Sequence, residues 1–373
     1  LIPHVLPYCT GSYPCAVVPG HIASERPAAV TVLGVPADLT IYLLLVQTLP
    51  LIFIKWQVTE SQYLQHAIAL QILLFLLFWL VWGGYSIDAW RYLTRFDRDP
   101  LRFEEEQLFW MVGHGLGRVL LDPWPLKVLS AIAAGLFAYA TAEFLKRYTQ
   151  SLAYYGLFLI PLLPAFYLTF GNAIRQGLAA SIVMVGLVRL QRGQLGAFLS
   201  LGLIAFFFHQ TSFLLVLAAL LGRFQTRRMP LALLLAPLMS FIAYQIAAFY
   251  GVNLSEHIRY ADYDEGAFHW AKFVVAYGLA WVLWWVHDEN DAEIGWLTAS
   301  YGYMVAVSSL LLRYEVPFER MLLYSEFLLP ALLVLTLFRR KILVEHFVRL
   351  WAVSVILGLA LWTHPSIVST LGY

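Results

Sequence analysis

Residues 195–223 read LGAFLSLGLIAFFFHQTSFLLVLAALLGR, and the number of times this stretch crosses a bilayer decides the topology of the chain. Both flanks are apolar, and His209, Gln210, Thr211 and Ser212 interrupt the middle. One spanning helix needs about 20 apolar residues to cross about 30 Å of hydrocarbon. The stretch is therefore long for one crossing and short for two. Charge decides between them. Arg189 and Arg192 precede it, and Arg223, Arg227 and Arg228 close it. Basic residues in short connections gather on the cytoplasmic side, so both ends belong on one side. The stretch then reads as a hairpin of 195–208 and 211–223 with FHQTS at its tip. Each arm covers about 20 Å at 1.5 Å per residue. Such short arms are tolerated where backbone faces protein or a water-filled cavity.

Working outward, hydrophobic runs place further spans near 38–55, 66–83, 126–145, 151–168, 173–190, 230–250, 269–286, 295–312, 321–338 and 343–361. The expectation is an all-α polytopic membrane protein of about 12 transmembrane segments, within a range of 10–13, with both termini outside the cytoplasm. Composition agrees. Of 373 residues 61% are hydrophobic and 13% charged, and 16% are aromatic with 13 Trp. Soluble domains run near 45–50% apolar and about 25% charged, so a soluble fold, a disordered chain and a disulfide scaffold are excluded. The net charge of +1 gives no general pull toward nucleic acid. Cys9 and Cys15 are the two cysteines and have no His at metal-site spacing. Lys146, Arg147, Arg339, Arg340 and Lys341 extend the positive bias, whereas the connection His287–Glu293 is acidic and does not follow it.

The expected domains are an irregular N-terminal tail at 1–37, one transmembrane domain at 38–362 and a C-terminal tail at 363–373. The first 34 residues are rich in Pro and lack both a basic and an apolar signal region. They read either as an upstream translation artefact or as a disordered extracytoplasmic tail. The outer face then carries a long loop at 84–125, the Phe170–Asn172 turn, the FHQTS tip and loops at 251–268 and 313–320.

Polar chemistry concentrates on that face. Asn172, Arg175 and Gln176 fall at i, i+3 and i+4 on the opening turn of a spanning helix. An arginine at membrane depth costs about 2.5–3.5 kcal/mol or more, and a guanidinium at a helix N-terminus makes an anion site. An arginine reaching back to the interface is the alternative. His209 at the hairpin tip suits hydroxyl orientation or proton transfer, or else hydrogen-bonds its own turn. Gly84-Tyr85-Ser86-Ile87-Asp88-Ala89-Trp90-Arg91-Tyr92 mixes an acid, a base and stacking rings, as sugar sites do. Glu104-Glu105-Glu106 opens an amphipathic stretch, Gln107–Leu121, suited to the membrane surface. Arg313, Glu315, Glu319 and Arg320 bracket Pro317, and Arg320 is a second candidate phosphate ligand.

Taken together these segments resemble the EpsG family of bacterial exopolysaccharide polymerases, related in role to the Wzy polymerases. The family's N-x-x-R-Q-x-x-A helix start matches Asn172, Arg175, Gln176 and Ala179. Its basic turn matches Arg189-Leu190-Gln191-Arg192, and its F-H-x-[ST]-[AF] break corresponds to Phe208-His209-Gln210-Thr211-Ser212, with Thr211-Ser212 where members more often have Ser-Ala. The family's G-x-G-T-D-Y-x-x-Y is similar to 84–92, with Asp88 and Tyr92 retained and the second Gly and the Thr replaced. Trp82 stands in the region where members often carry an Arg. E-x-G-Y corresponds loosely to Glu106-Gln107-Leu108-Phe109, which leaves Glu104 and Glu105 as alternatives. Downstream the likeness rests on Arg320, Tyr324 and Pro330.

The resemblance implies polymerisation of polyprenyl-diphosphate-linked repeat units into O-antigen, capsule or exopolysaccharide at the outer face of the bacterial cytoplasmic membrane. Donor and acceptor are both lipid-linked glycans, undecaprenyl diphosphate being the type of carrier, and a flippase and a chain-length regulator are the expected partners. Arg175 and Arg320 would contact the diphosphate, with Asn172 and Gln176 assisting. His209, Asp88 or Glu106 would be base or orienter, and Trp90, Arg91 and Tyr92 would meet sugar. Lipid diphosphate is already an activated leaving group, so no metal, nucleotide or other cofactor is implied. Two other readings compete. A transferase using polyprenyl-phosphate sugars would rest on Asp97 and Asp99, and a lipid-linked glycan flippase would need polar residues lining several spans.

Overall fold

The computed structural model describes residues 31–32, 35–36, 73, 76, 92–93, 95–96, 106–160, 164–171, 173–250, 268–287 and 291–339. Apart from a two-residue antiparallel pair, β1 (Thr31–Val32) with β2 (Val35–Pro36), the regular structure among them is helical. The expected spans at 38–55, 66–83 and 343–361 lie outside the described residues, save Leu73 and Leu76, which are helical.

The helices are α1 (Gln107–Gly117), α2 (Trp124–Lys146), α3 (Gln150–Leu159), α4 (Pro164–Gly171), α5 (Ile174–Gln191) and α6 (Leu195–Phe208). They continue as α7 (Ser212–Phe224), α8 (Met229–Phe249), α9 (Phe268–Val286), α10 (Ala292–Ser309), α11 (Glu315–Glu326) and α12 (Leu329–Arg339). Two expected spans are broken rather than continuous. Residues 151–168 divide into α3, whose α-helical hydrogen bonding ends at Leu159, and α4, which starts at Pro164, a residue without an amide donor. Residues 321–338 belong to α11 and α12, which bend by 44° at a break just ahead of Pro330. The expected outer loop at 313–320 is also corrected, because α11 starts at Glu315 and makes Glu319 and Arg320 helical. By length and composition, α2 and Thr226–Ile246 can each cross a membrane, and the α11–α12 pair adds a third if it is one span.

Apolar surface holds the bundle together. α5 packs between α2 and α6, and α10 packs against α7, α8, α9 and α11. Nearly every residue of α10 from Ile294 to Val305 is buried, including Trp296 and Tyr301, as expected of a helix that is apolar all round. Phe137, Phe166, Phe170 and Phe327 form a cluster with ring centroids 4.5–6.3 Å apart. The Ser130 hydroxyl donates to the Phe170 carbonyl at 2.6 Å and ties α4 to α2.

Residues 195–223 form the hairpin. Its first foot turns at Gly193, whose φ of +77° suits glycine. There Arg192 pairs with Glu143 at 3.0 Å, and Gln191 Nε2 donates to the Phe144 carbonyl at 3.3 Å and to Glu293 at 3.5 Å. Arg147 hydrogen-bonds the Gln191 carbonyl and lies 3.7 Å from Glu293. The second foot also docks on α10, where Tyr303 Oη donates to the Gln225 carbonyl at 2.8 Å. Both feet therefore sit toward the basic end of the bundle with Arg147, Arg189, Arg192, Arg223, Arg227 and Arg228. The acidic connection before α10 has a reason here, since Glu293 neutralises part of that basic end.

Candidate functional site

At the opposite end of the hairpin, the chain turns because His209 adopts an extended backbone (φ −160°, ψ 114°) that stops α6. The turn is closed by Ser212 N–H on the His209 carbonyl at 3.0 Å and Phe213 N–H on the Gln210 carbonyl at 3.1 Å. His209 is thereby held beside the first turns of α1 and α5.

Glu106 is the meeting point. One carboxylate oxygen accepts from Arg175 Nη1 and the other from His209 Nδ1. Its backbone is left-handed (φ 66°, ψ 39°), the sole non-glycine residue with positive φ among those described. Such a conformation is strained for a residue with a Cβ, and strain of this kind clusters at functional sites. The three side chains are largely enclosed, with exposures of 10% for Glu106, 20% for Arg175 and 18% for His209.

Aromatic walls surround the guanidinium. Its carbon lies 5.2 Å from the Tyr92 ring centroid, 5.3 Å from Trp110 and 6.0 Å from Phe109, within cation–π range. Tyr92, Phe96, Phe109 and Trp110 pack edge to face or tilted against one another, and His114 Nδ1 donates to the Phe96 carbonyl at 2.6 Å. The stretch expected along the membrane surface is therefore α1, ending at Gly117, with Phe109 fully buried against the site. Arg175 Nε is buried without a hydrogen-bond partner. An unsatisfied buried donor costs about 1–3 kcal/mol, which an oxyanion beside it would recover.

α11 closes the far side. Gln176 Nε2 donates to the Arg320 carbonyl, and Tyr324 Oη lies 3.0 Å from Thr211 Oγ1. Because Nδ1 donates to the Glu106 carboxylate, a neutral His209 ring carries its proton there and leaves Nε2 as a hydrogen-bond acceptor.

Height can be measured along the helices. From Glu315 to Tyr324 is about 13 Å of helix at 1.5 Å per residue, so the His209 tip sits well below the α10–α11 turn. From the other end, α6 and α7 lift the tip by about 20 Å. The site thus lies between the two ends of the bundle.

Of the residues singled out in the sequence, Glu106, His209, Arg175, Gln176, Arg320 and Tyr92 converge here. Asp88, Trp90, Arg91 and Asn172 lie outside the described residues, as do Asp97, Asp99, Glu104 and Glu105. Sequence reading missed Phe109 and Trp110 as walls of the arginine and Thr211 as the partner of Tyr324. The signal for Phe109 was its place at the end of the loose E-x-G-Y correspondence, three residues after Glu106.

A sequence model described as the EpsG family matches residues 66–369, most of the chain. No curated protein and no solved structure matches.

Proposed function

The chain belongs to the EpsG family, polymerase-like membrane proteins of exopolysaccharide synthesis, and from that premise we propose that it joins polyprenyl-diphosphate-linked oligosaccharide units by glycosyl transfer. The observation that carries this reading is the Glu106 carboxylate shared between Arg175 and His209 beside a wall of aromatic rings. The acceptor hydroxyl approaches His209 Nε2. Its oxygen attacks the anomeric carbon of the donor glycan, and its proton passes to Nε2. The bond from that carbon to the diphosphate oxygen breaks, and the electron pair leaves on the diphosphate. Glu106 holds the ring and stabilises the imidazolium, as a carboxylate does for a histidine base. Arg175 and Arg320 offset the charge that develops on the leaving group, and the buried Arg175 Nε is a donor ready for it. Tyr92 and Trp110 hold the Arg175 guanidinium in place, and Gln176 fixes α11 beside α5.

In this reading the basic end faces the cytoplasm, the Glu106–Arg175–His209 site faces outward, and about 12 spans cross the bacterial cytoplasmic membrane. A flippase delivers the units and a chain-length regulator limits the product. Asp88, Trp90, Arg91 and Asn172 keep their expected parts as base, sugar contacts and diphosphate contact.

The test is the length distribution of lipid-linked and surface glycan on a gel. A deletion strain is complemented with wild type or Arg175→Ala. The deletion should collapse the ladder to single repeat units, and Arg175→Ala should leave it collapsed. A normal ladder with Arg175→Ala would remove Arg175 from the site. Failure of single units to reach the outer face would move the protein to an earlier step.

A further inference from the structure

Thr211 stands at the start of α7 without doing what a threonine there usually does. A hydroxyl at a helix start accepts from an amide of the first turn, and the Thr211 hydroxyl makes no such bond. It pairs instead with Tyr324 Oη at 3.0 Å, 113 positions away on α11. Tyr324 is fully buried, and a buried phenol needs a partner. Among the described residues, the hydrogen-bond partner of that oxygen is Thr211. Both groups thus commit their polar atoms to holding the hairpin tip on α11.

A closed ring of links results. Glu106 joins Arg175 to His209. The His209 carbonyl accepts from the amide of Ser212, the neighbour of Thr211. Thr211 reaches Tyr324, and one turn earlier on α11 the Arg320 carbonyl accepts from Gln176. Gln176 adjoins Arg175 on α5, where the ring began. The imidazole is therefore fixed from two sides, at Nδ1 by Glu106 and through the backbone two residues on by Tyr324. Arg320 and Tyr324 stand at i and i+4, so they share one face of α11. One helix thereby sets both the tip that carries His209 and the backbone that carries Arg320. With the Glu106 bond alone, the ring would swing about it and Nε2 would lose its bearing on the arginines.

We propose that Tyr324 is a positioning residue for the transfer, which through Thr211 sets the direction of His209 Nε2 without touching substrate. This rests on the glycosyl-transfer reading, in which Nε2 takes the acceptor proton while Arg320 attends to the leaving group.

The experiment measures initial rates with the full chain in phosphatidylcholine nanodiscs, using lipid-linked repeat units extracted from the deletion strain. Tyr324→Phe removes one oxygen and keeps the ring. Its kcat per folded molecule should fall about 10–10²-fold, as for a misplaced base, with KM within about twofold of wild type. Thr211→Val should do the same. The double variant should be no worse than either single one, because each removes the same bond. Thr211→Ser, which keeps the hydroxyl, should recover most of the rate that Thr211→Val loses. If Tyr324→Phe yields no folded protein, the Thr211→Val and Thr211→Ser pair, at a half-buried tip position, decides the matter. Wild-type kcat in Tyr324→Phe or Thr211→Val would overturn the inference. So would losses that multiply in the double variant, or a raised KM at unchanged kcat, the mark of a binding group. A lower thermal midpoint with kcat per folded molecule unchanged would leave only a structural bond, and would equally overturn it. In each of these outcomes wild type still turns over and the transfer reading stands. Wild type that extends no glycan would sink that reading and this inference together.

Discussion

At the scale of single residues, the proposed reaction needs His209 as a neutral base held by the Glu106 carboxylate. Glu106→Gln keeps the shape and removes the charge that steadies the imidazolium. Polymerisation should drop by about 10²–10⁴-fold, with assembly into the membrane unchanged, as measured by glycan synthesis from purified lipid-linked units. Arg175 and His209 were visible in the sequence because polar side chains in apolar runs need a reason. Their common partner was not. Glu106 is separated from them by 69 and 103 positions, and Glu104, Glu105 and Glu106 look alike until backbone geometry distinguishes them. The aromatic walls were hidden for a different reason, since Phe and Trp near a span also serve as membrane belts.

Among the elements, the hairpin was readable from arginine placement, because charge bias reports which connections share a side. The breaks inside 151–168 and 321–338 were not, since apolarity counts residues and is blind to a kink between two apolar halves. Close packing of the hairpin depends on small residues. A Cβ at Gly222 would lie 2.6 Å from the Trp296 carbonyl oxygen and 2.7 Å from the Ser300 amide nitrogen, backbone atoms that cannot step aside. Gly222→Ala should push α7 off α10 at a cost of about 1–3 kcal/mol or more. That loss would appear as a lower midpoint in thermal unfolding of detergent-solubilised protein. Gly196, where an added Cβ meets nothing within 4 Å, is the control that should leave the midpoint unchanged.

For the whole molecule, the decisive claim is that the hairpin returns to the side it came from. Single cysteines at Gly193 and Arg227 should react with an impermeant thiol reagent only after the cytoplasmic side is opened. A cysteine at Gln210 should react from outside intact spheroplasts. Labelling of Gly193 and Arg227 from opposite sides would replace the hairpin with one crossing. The height of the hairpin tip has a wider consequence for the proposed reaction. That height is fixed by α6 and α7, whereas the level of a carrier's head would be fixed by the surrounding lipid. In a thin bilayer the head would already float near Arg175. In a thick one it must be dragged inward against its own hydration, and mismatch costs fractions of a kcal/mol per Å. Turnover in vesicles should therefore decline steadily as acyl chains lengthen from about 14 to about 22 carbons, so that the catalyst doubles as a gauge of the membrane that houses it.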